Sequence, residues 1–173
     1  MKNNIILIGF MGSGKTSVGE RLAKQLSYQF RDTDHMLEQQ AGDTINHIFS
    51  VHGEAYFRNM ETNLLKELLP KLSGTVLSTG GGLPLREENV KLLKELGYVV
   101  YLNATKETVI KRLKGDTARP LLQGEDFEQK VERMLKLRAP IYEKAAHKSV
   151  VTDGRSFDTI IHIIMEAYLK QIY

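Results

Sequence analysis

The chain has 173 residues, 42% of them apolar, which is enough to bury one hydrophobic core. It carries 24 Lys and Arg residues against 21 Asp and Glu residues, and the basic ones are scattered, so we expect no nucleic-acid binding. The absence of cysteine excludes disulfides and thiolate chemistry, and no apolar run is long enough to span a membrane. We therefore expect a single cytoplasmic domain over residues 1–173 that binds anionic small molecules.

A glycine-rich loop near the start of the chain has the pattern G-x-x-x-x-G-K-[ST] and spans Gly9 to Thr16. The apolar run 4–8 before it reads as a buried strand. After it, Val18, Leu22 and Leu26 recur at the spacing of one face of a helix. This order of strand, loop and helix predicts a nucleotide-phosphate site, because backbone N–H groups and the positive helix end attract phosphate.

The loop pattern also predicts roles for individual residues. Lys15 would reach the β- and γ-phosphates of the nucleotide, and the hydroxyl of Thr16 would bind Mg²⁺. The other nucleotide-binding residues that we expect here are Gly12, Ser13, Gly14 and Ser17. A dinucleotide-binding loop is a poor alternative, because its G-x-G-x-x-G pattern would need glycine where Ser17 stands.

Strand and helix patterns alternate along the whole chain, which predicts a parallel sheet with helices on both faces. The predicted strands are 4–8, one ending at 32–34, 75–79, 98–102 and 149–152. A helical region follows the second strand; it holds Met36-Leu37, Ile45, Ile48-Phe49 and the long helix 54–72, with Pro70 near its end. Two further helices are predicted at 87–96, closed by Gly97, and at 106–114, capped by Thr105. Another opens with a capping box at Asp126 and Gln129 and is ended or kinked by Pro140, and a last one is capped by Ser156.

Three polar turns follow predicted strands, and ligands in open parallel sheets bind beyond the carboxyl ends of the strands. Besides the phosphate loop, these turns hold Asp32 with Asp34 and the run Gly80–Gly82. If the strand continues, the two aspartates point to opposite faces, so one could face Mg²⁺ and the other a substrate hydroxyl. No acid ends the third strand, so Asp32 is the best carboxylate for the metal shell, acting through water.

Three arginines stand out less clearly. Arg119 lies in the aperiodic stretch 115–125, flanked by glycines, which is typical of a lid that closes over a substrate. Arg58, three residues before Glu61, and Arg138, just ahead of Pro140, would each be ordinary surface charges when taken alone.

Taken together, these motifs resemble those of shikimate kinases over essentially the whole chain. The resemblance is carried by the phosphate loop, Asp32-Thr33-Asp34, Gly53-Glu54, Phe57-Arg58-x-x-Glu61, Ser78-Thr79-Gly80-Gly81-Gly82, Arg119-Pro120-Leu121-Leu122 and Arg138-Ala139-Pro140-x-Tyr142. It implies a three-layer α/β/α P-loop kinase fold with five parallel strands in the order 2-3-1-4-5. It also implies transfer of the γ-phosphoryl of ATP to the 3-hydroxyl of shikimate, in aromatic amino-acid biosynthesis. Separately, we expect a monomer.

The resemblance assigns further roles. It implies a substrate-binding segment at about 33–61 and a lid at about 115–125 that brings Arg119 to ATP. Asp34 would hold the shikimate hydroxyls and accept the 3-hydroxyl proton. The remaining substrate-binding residues would be Phe49, Phe57, Arg58, Gly80, Gly81, Gly82 and Arg138, with Glu61 orienting Arg58. Arg112 would stack on adenine, with Asp153-Gly154-Arg155 on the other side and Arg155 as an ATP-binding residue.

Two other functions stay open at this point. A related P-loop kinase of gluconate or of a nucleoside monophosphate would use similar residue types, and gluconate also carries a carboxylate. A nucleotide-dependent binding protein without turnover is the second alternative. It would be expected to lack a lysine, an acid or a lid arginine, whereas Lys15, Asp34 and Arg119 are all present.

Overall fold

The structure is a computed structural model and describes residues 3–114 and 126–172. Strands and helices alternate over these residues as the sequence predicts. The five strands are β1 (Ile5–Ile8), β2 (Gln29–Asp32), β3 (Thr75–Ser78), β4 (Tyr98–Asn103) and β5 (Lys148–Val151). The helices are α1 (Lys15–Leu26), α2 (Thr33–Ala41), α3 (Ile45–Leu68), α4 (Glu87–Leu96), α5 (Lys106–Leu113), α6 (Phe127–Ala145) and α7 (Phe157–Ile172), with a 3₁₀ turn at Leu83–Leu85.

The strands form one parallel sheet in the order β2-β3-β1-β4-β5, which confirms the predicted topology. β1 and β3 are buried along their whole length, whereas the outer strands β2 and β5 are largely exposed or half-buried. Apolar side chains on each face of the sheet pack against helices in a separate core. All strands point the same way, so the turns after β1, β2 and β3 meet at one edge. Among the described helices, none is long and apolar enough to cross a membrane.

One prediction about helix α3 needs correction. It ends at Leu68 rather than at Leu72, two residues before Pro70, which lacks the N–H group that a further turn would need. Leu72 is nevertheless buried, which explains why it fits the apolar spacing. The helix begins at Ile45, inside the helical region that the sequence predicts ahead of Glu54, and passes through a kink at Gly53, whose φ of 81° and ψ of 172° are not helical.

The structure also corrects the predicted cap of helix α6 and one of the two effects expected of Pro140. Asp126 precedes the helix, but its side chain caps no backbone N–H; it pairs with Lys130 at 3.0 Å instead. Pro140 does not end the helix, which continues to Ala145. The turn beyond the proline carries the fully buried Tyr142 and Ala145, and their packing offsets the hydrogen bond that a proline removes.

Candidate active site

The phosphate loop connects β1 to α1 with backbone conformations that require glycine. Gly12 and Gly14 have φ angles of 75° and 96°, in the left-handed region that L side chains rarely adopt. Gly14 is the N-cap of α1, no side chain caps that helix end, and its first turn holds no acidic residue. The first N–H groups of α1 therefore face the loop with the positive end of the helix dipole, which is the arrangement that binds phosphate.

The side chain of Lys15 lies over the phosphate loop. Its Nζ atom donates to the carbonyl oxygens of Gly9 and Phe10, each at 2.9 Å. These carbonyls hold the ammonium group above the arc of loop N–H groups. A phosphate bound in this arc would therefore meet both the N–H groups and the lysine charge.

Oxygen donors surround the start of α1, as a Mg²⁺ site requires. Thr16, Asp32 and Ser78 line the same cleft. The Oγ of Ser78 is buried and has no hydrogen-bond partner among the described residues. No cluster of three or more His, Cys, Asp or Glu residues occurs in residues 3–114 and 126–172, so a cation here would depend on hydroxyls, water and phosphate oxygens. Hard oxygen donors of this kind suit Mg²⁺.

The two aspartates do not lie on one strand, so the condition under which they would point to opposite faces of it is not met. β2 ends at Asp32, and α2 begins at the next residue. The Oδ1 atom of Asp32 caps α2 by accepting from the N–H groups of Asp34 at 2.9 Å and His35 at 3.4 Å. This cap satisfies two N–H groups of the first helical turn, which is why the strand stops here. Its other oxygen is not used by the cap.

Asp34 lies against the triple-glycine turn. A Cβ atom on Gly80 would be only 2.6 Å from its Oδ1 atom, so glycine is what allows this approach. The N–H of Gly80 donates to the Thr33 hydroxyl at 3.0 Å, so this amide is already used. The N–H groups of Gly81 and Gly82 make no hydrogen bond within the described residues. They are the two amides of this turn that can bind a substrate.

Arg58 connects α3 to the same turn. Its Nη1 donates to Glu61 at 2.8 Å, and its Nε and Nη2 donate to Glu54 at 3.2 and 3.1 Å. Glu61 is 1% exposed and Glu54 is 67% exposed, so one partner is a fixed support and the other can exchange with solvent or with another carboxylate. The predicted pairing of Arg58 with Glu61 is confirmed.

Burial changes the titration of this pair. It raises the pKa of Glu61 to about 7, against the opposing effect of Arg58, and the nearby charge of Asp34 adds to the rise. For Arg58, burial alone would lower the pKa, but Glu61 and Glu54 outweigh it, and the pKa is raised. Oε1 of Glu61 has no hydrogen-bond partner among the described residues. Oε2 accepts from Arg58, so a proton would reside on Oε1.

Aromatic rings flank both arginines. The rings of Phe49 and Phe57 are 4.7 Å apart at 42°, and the Arg58 guanidinium lies 5.9 and 5.6 Å from them. Arg138, on α6, lies 5.7 Å from the ring of Phe10 in the phosphate loop. Its Nη1 would be 3.8 Å from a Cβ atom on Gly81. Arg58 and Arg138 therefore both lie beside the triple-glycine turn, and Phe49 and Phe57 lie beside Arg58.

A cleft of about 370 Å³ unites the phosphate loop with this turn. The predicted site residues that line it are Gly12, Ser13, Gly14, Lys15, Thr16, Ser17, Asp32, Asp34, Gly80, Gly81 and Arg112. Arg112 donates to the carbonyl oxygen of Gly12 at 2.8 Å, beside the loop. Arg155 is exposed and does not line the cleft, and Arg119 lies outside the described residues.

Sequence reasoning missed three residues at the far end of this cleft. Thr152, Phe157 and Ile160 line it, from the turn after β5 and the start of α7. The Arg21 guanidinium lies 4.4 Å from the centre of the Phe157 ring, and this cation–π contact holds the ring beside α1. No local pattern marks these residues, although a large aromatic side chain at an exposed helix start is a signal that could have drawn attention to Phe157.

Known proteins share this architecture. A family model described as shikimate kinase matches residues 11–169. A shikimate kinase from Caldicellulosiruptor bescii is 47% identical over 92% of this chain and 94% of its own, and one from Thermodesulfovibrio yellowstonii is 43% identical over 95% and 94%. A solved structure of shikimate kinase from Acinetobacter baumannii, in complex with shikimate, has a TM-score of 0.92 and 40% identity, covering 99% of this chain and 95% of its own.

Proposed function

The chain belongs to the shikimate kinase family, and from that premise we propose which of its residues bind the two substrates and promote phosphoryl transfer. It is an ATP-dependent kinase that acts on shikimate. The observation that carries the proposal is that the phosphate loop and Asp34 line one cleft, with Arg58 and Arg138 at the adjoining turn. A phosphoryl donor and a hydroxylated acid can therefore meet there.

The phosphate loop binds the triphosphate of ATP. The N–H groups of the loop and of the first turn of α1 receive the phosphates, and Lys15 neutralises charge on the β- and γ-phosphates. The base lies at the other end of the cleft, between Arg112 and the surface of Thr152, Phe157 and Ile160. Adenine is a flat ring system, and an aromatic ring and a guanidinium are both suited to stack on it.

Thr16 and Asp32 hold Mg²⁺ in this proposal, the latter through water. The oxygen of Asp32 that the helix cap does not use is placed to contact its water shell. When bound, Mg²⁺ neutralises charge that develops on the transferred phosphoryl group. The oxygen donors described above fit this ion better than a softer metal.

Asp34 holds the acceptor hydroxyl and takes its proton. Its carboxylate faces the triple-glycine turn from the start of α2, inside the cleft that also contains the phosphate loop. A carboxylate within hydrogen-bond reach of a hydroxyl both orients it and accepts its proton as the bond to phosphorus forms. We assign the 3-hydroxyl of shikimate to this position.

Arg58 and Arg138 bind the carboxylate of shikimate. Arg58 already donates two N–H groups, from Nε and Nη2, to one oxygen of the exposed Glu54 carboxylate, which supports this edge of the guanidinium as the place where a carboxylate binds. A substrate carboxylate would replace Glu54 at little cost, because Glu54 is in contact with solvent. The amides of Gly81 and Gly82 are the neighbouring donors, and Phe49 and Phe57 form a wall for the ring.

Some assignments rest on the sequence alone. Arg119 supplies further positive charge to the transferred phosphoryl group, in the manner of catalytic arginines in other P-loop enzymes. We also expect a cytoplasmic location and a monomer. Size-exclusion chromatography with light scattering measures the oligomeric state directly.

The carboxylate site is tested by comparing shikimate with an analogue in which CH₂OH replaces the acid. Losing a hydrogen bond to a charged partner costs roughly 1.5–3 kcal/mol, or about 10–150-fold in kcat/KM, and a clamp of two arginines should exceed the lower figure. The loss should fall mainly on KM, because the carboxylate lies away from the reacting hydroxyl. Arg58→Lys and Arg138→Lys should each reduce the preference, since an ammonium group cannot form the fork.

A wild-type preference below threefold would refute the carboxylate site. Unchanged preference in both lysine variants would show that the acid is bound elsewhere. ATP serves as the internal control, because its KM should stay within about twofold in both variants if the two ends of the cleft act independently.

A further inference from the structure

Tyr142 lies one helical turn after Arg138 on α6, and the roles assigned so far leave it unexplained. Its side chain is fully buried, and its hydroxyl donates to the carbonyl oxygen of Gly81 at 2.6 Å. Burial raises the pKa of this hydroxyl, against the opposing effect of the Arg138 guanidinium. The group is therefore protonated at neutral pH and able to donate. Tyr142, a buried side chain of α6, therefore holds the backbone of the triple-glycine turn.

The spacing of Arg138 and Tyr142 along α6 brings both side chains to the triple-glycine turn. Residues four apart lie on one face of a helix. Tyr142 contacts Gly81 at its carbonyl oxygen, and the Nη1 atom of Arg138 lies 3.8 Å from where a Cβ on Gly81 would be. The helical turn of α6 between Arg138 and Tyr142 thus determines the distance between the Arg138 guanidinium and the triple-glycine turn, both of which are proposed to bind the substrate.

The hydrogen bond also sets the direction of an amide. The peptide that joins Gly81 to Gly82 is planar and trans, so its N–H points away from its carbonyl oxygen. Because Tyr142 holds that oxygen, it directs the Gly82 N–H toward the opposite side. This N–H is unpaired among the described residues, and Gly82 itself lies against Arg58. Two consecutive glycines would otherwise sample many conformations.

We propose that the Tyr142 hydroxyl is a positioning group for the acid end of the substrate: it fixes the Gly81–Gly82 peptide and its distance from Arg138, so that the triple-glycine turn and the guanidinium keep the spacing that binding of the carboxylate needs. This inference rests on the proposed function, in which Arg138 and the glycine turn bind shikimate. Tyr142 touches no substrate atom and acts only through these two partners. Small displacements of binding groups are enough to weaken binding, which is why such a support matters.

Tyr142→Phe tests this directly, because it removes the hydroxyl and keeps the ring. Loss of one buried hydrogen bond should raise KM for shikimate about five- to tenfold, with kcat and KM for ATP within about twofold. The variant should also lose most of its preference for shikimate over the CH₂OH analogue. A role limited to core packing would not change that preference.

Tyr101→Phe is the matched control. Tyr101 is 1% exposed, its ring lies 5.2 Å from that of Tyr142, and its hydroxyl donates to Asn103 at 3.3 Å rather than to the glycine turn. Its removal should change neither KM nor the preference for the acid by more than about twofold. Thermal unfolding of both variants reports whether the folded state is retained.

Several outcomes would overturn the inference. These are an unchanged KM for shikimate in Tyr142→Phe, an equal rise in KM for ATP, an equal effect of Tyr101→Phe, or unfolding of Tyr142→Phe alone, which would make the hydroxyl a support of the core. Arg138→Lys separates this inference from the proposed function. If Arg138→Lys weakens shikimate binding while Tyr142→Phe does not, only the positioning role fails. If neither variant has an effect, the carboxylate site itself is wrong.

Discussion

The guanidinium of Arg58 lies against the backbone of Gly82, where a Cβ atom would fall 2.4 Å from both of its terminal nitrogens. Gly82 has φ of −89° and ψ of −12°, a conformation open to any residue. Close packing of the arginine, rather than backbone strain, therefore explains the glycine at this position. A side chain added here must displace Arg58.

Gly82→Ala should consequently impair the function of Arg58 without changing the arginine itself. The displaced guanidinium loses its geometry toward a substrate carboxylate, so KM for shikimate should rise by about tenfold or more, with little change in KM for ATP. Gly81→Ala is the comparison, because a Cβ there meets its nearest neighbours at 3.5 Å, an ordinary contact, and should have a smaller effect. Equal effects of the two substitutions, in steady-state kinetics with both substrates, would contradict this explanation.

Lys15→Met and Asp34→Asn test the residues placed at the two reacting groups. Each should lower kcat by at least about 10²-fold, the low end for a positioned acid–base or charge-stabilising group. Circular dichroism should show an intact fold, because both side chains lie at the cleft rather than in the core. An Asp34→Asn variant that kept more than half of the wild-type kcat would rule out its role as proton acceptor.

Glu61 predicts a specific dependence of stability on pH. Its pKa rises from an ordinary 4.5 in the unfolded chain to about 7 in the folded one, so between these values the folded state binds the extra proton. The contribution of Glu61 to the free energy of unfolding is therefore fully present below about pH 4.5 and is lost as pH rises to about 7. Within this window the free energy of unfolding falls by up to roughly 1.4 kcal/mol per pH unit. Glu61→Gln, which does not titrate, should lack this slope.

The measurement is the free energy of unfolding in urea for both proteins at several pH values from 5 to 8. The free energy of unfolding of wild type should fall relative to that of Glu61→Gln as pH rises across this window. Parallel pH profiles for the two proteins would show that Glu61 keeps an ordinary pKa in the folded state.

Phe157→Ala tests the base end of the cleft. Base–aromatic stacking is worth about 1–3 kcal/mol, so KM for ATP should rise by about fivefold or more, while KM for shikimate stays within twofold. Arg155→Ala is the control, because Arg155 lies outside the cleft lining, and it should leave both constants nearly unchanged. The reverse result, a large effect at Arg155 and none at Phe157, would restore the site expected from the sequence.

Much of this architecture could be predicted because it depends on neighbours in the chain. The phosphate loop is one contiguous segment whose glycines, lysine and threonine act together, so its sequence pattern predicts phosphate binding. The caps at Thr105 and Ser156 are local too, and both are confirmed by side chains that accept from N–H groups three residues on. Helix α3 shows the limit, since Leu72 fits the apolar spacing and is buried without being helical.

By itself, the sequence determined the strand–helix order, the phosphate loop and the residue types available for acid binding, because periodicity and short motifs record local geometry. Only the tertiary structure decided which distant groups meet. Tyr142 reaches Gly81 across 61 positions, Thr33 takes the Gly80 amide across 47, and Phe157 closes the cleft from the last helix. The pKa of Glu61 is likewise a property of burial beside Arg58. Such contacts arise from packing elements that are far apart in the chain, and no spacing along the sequence encodes them.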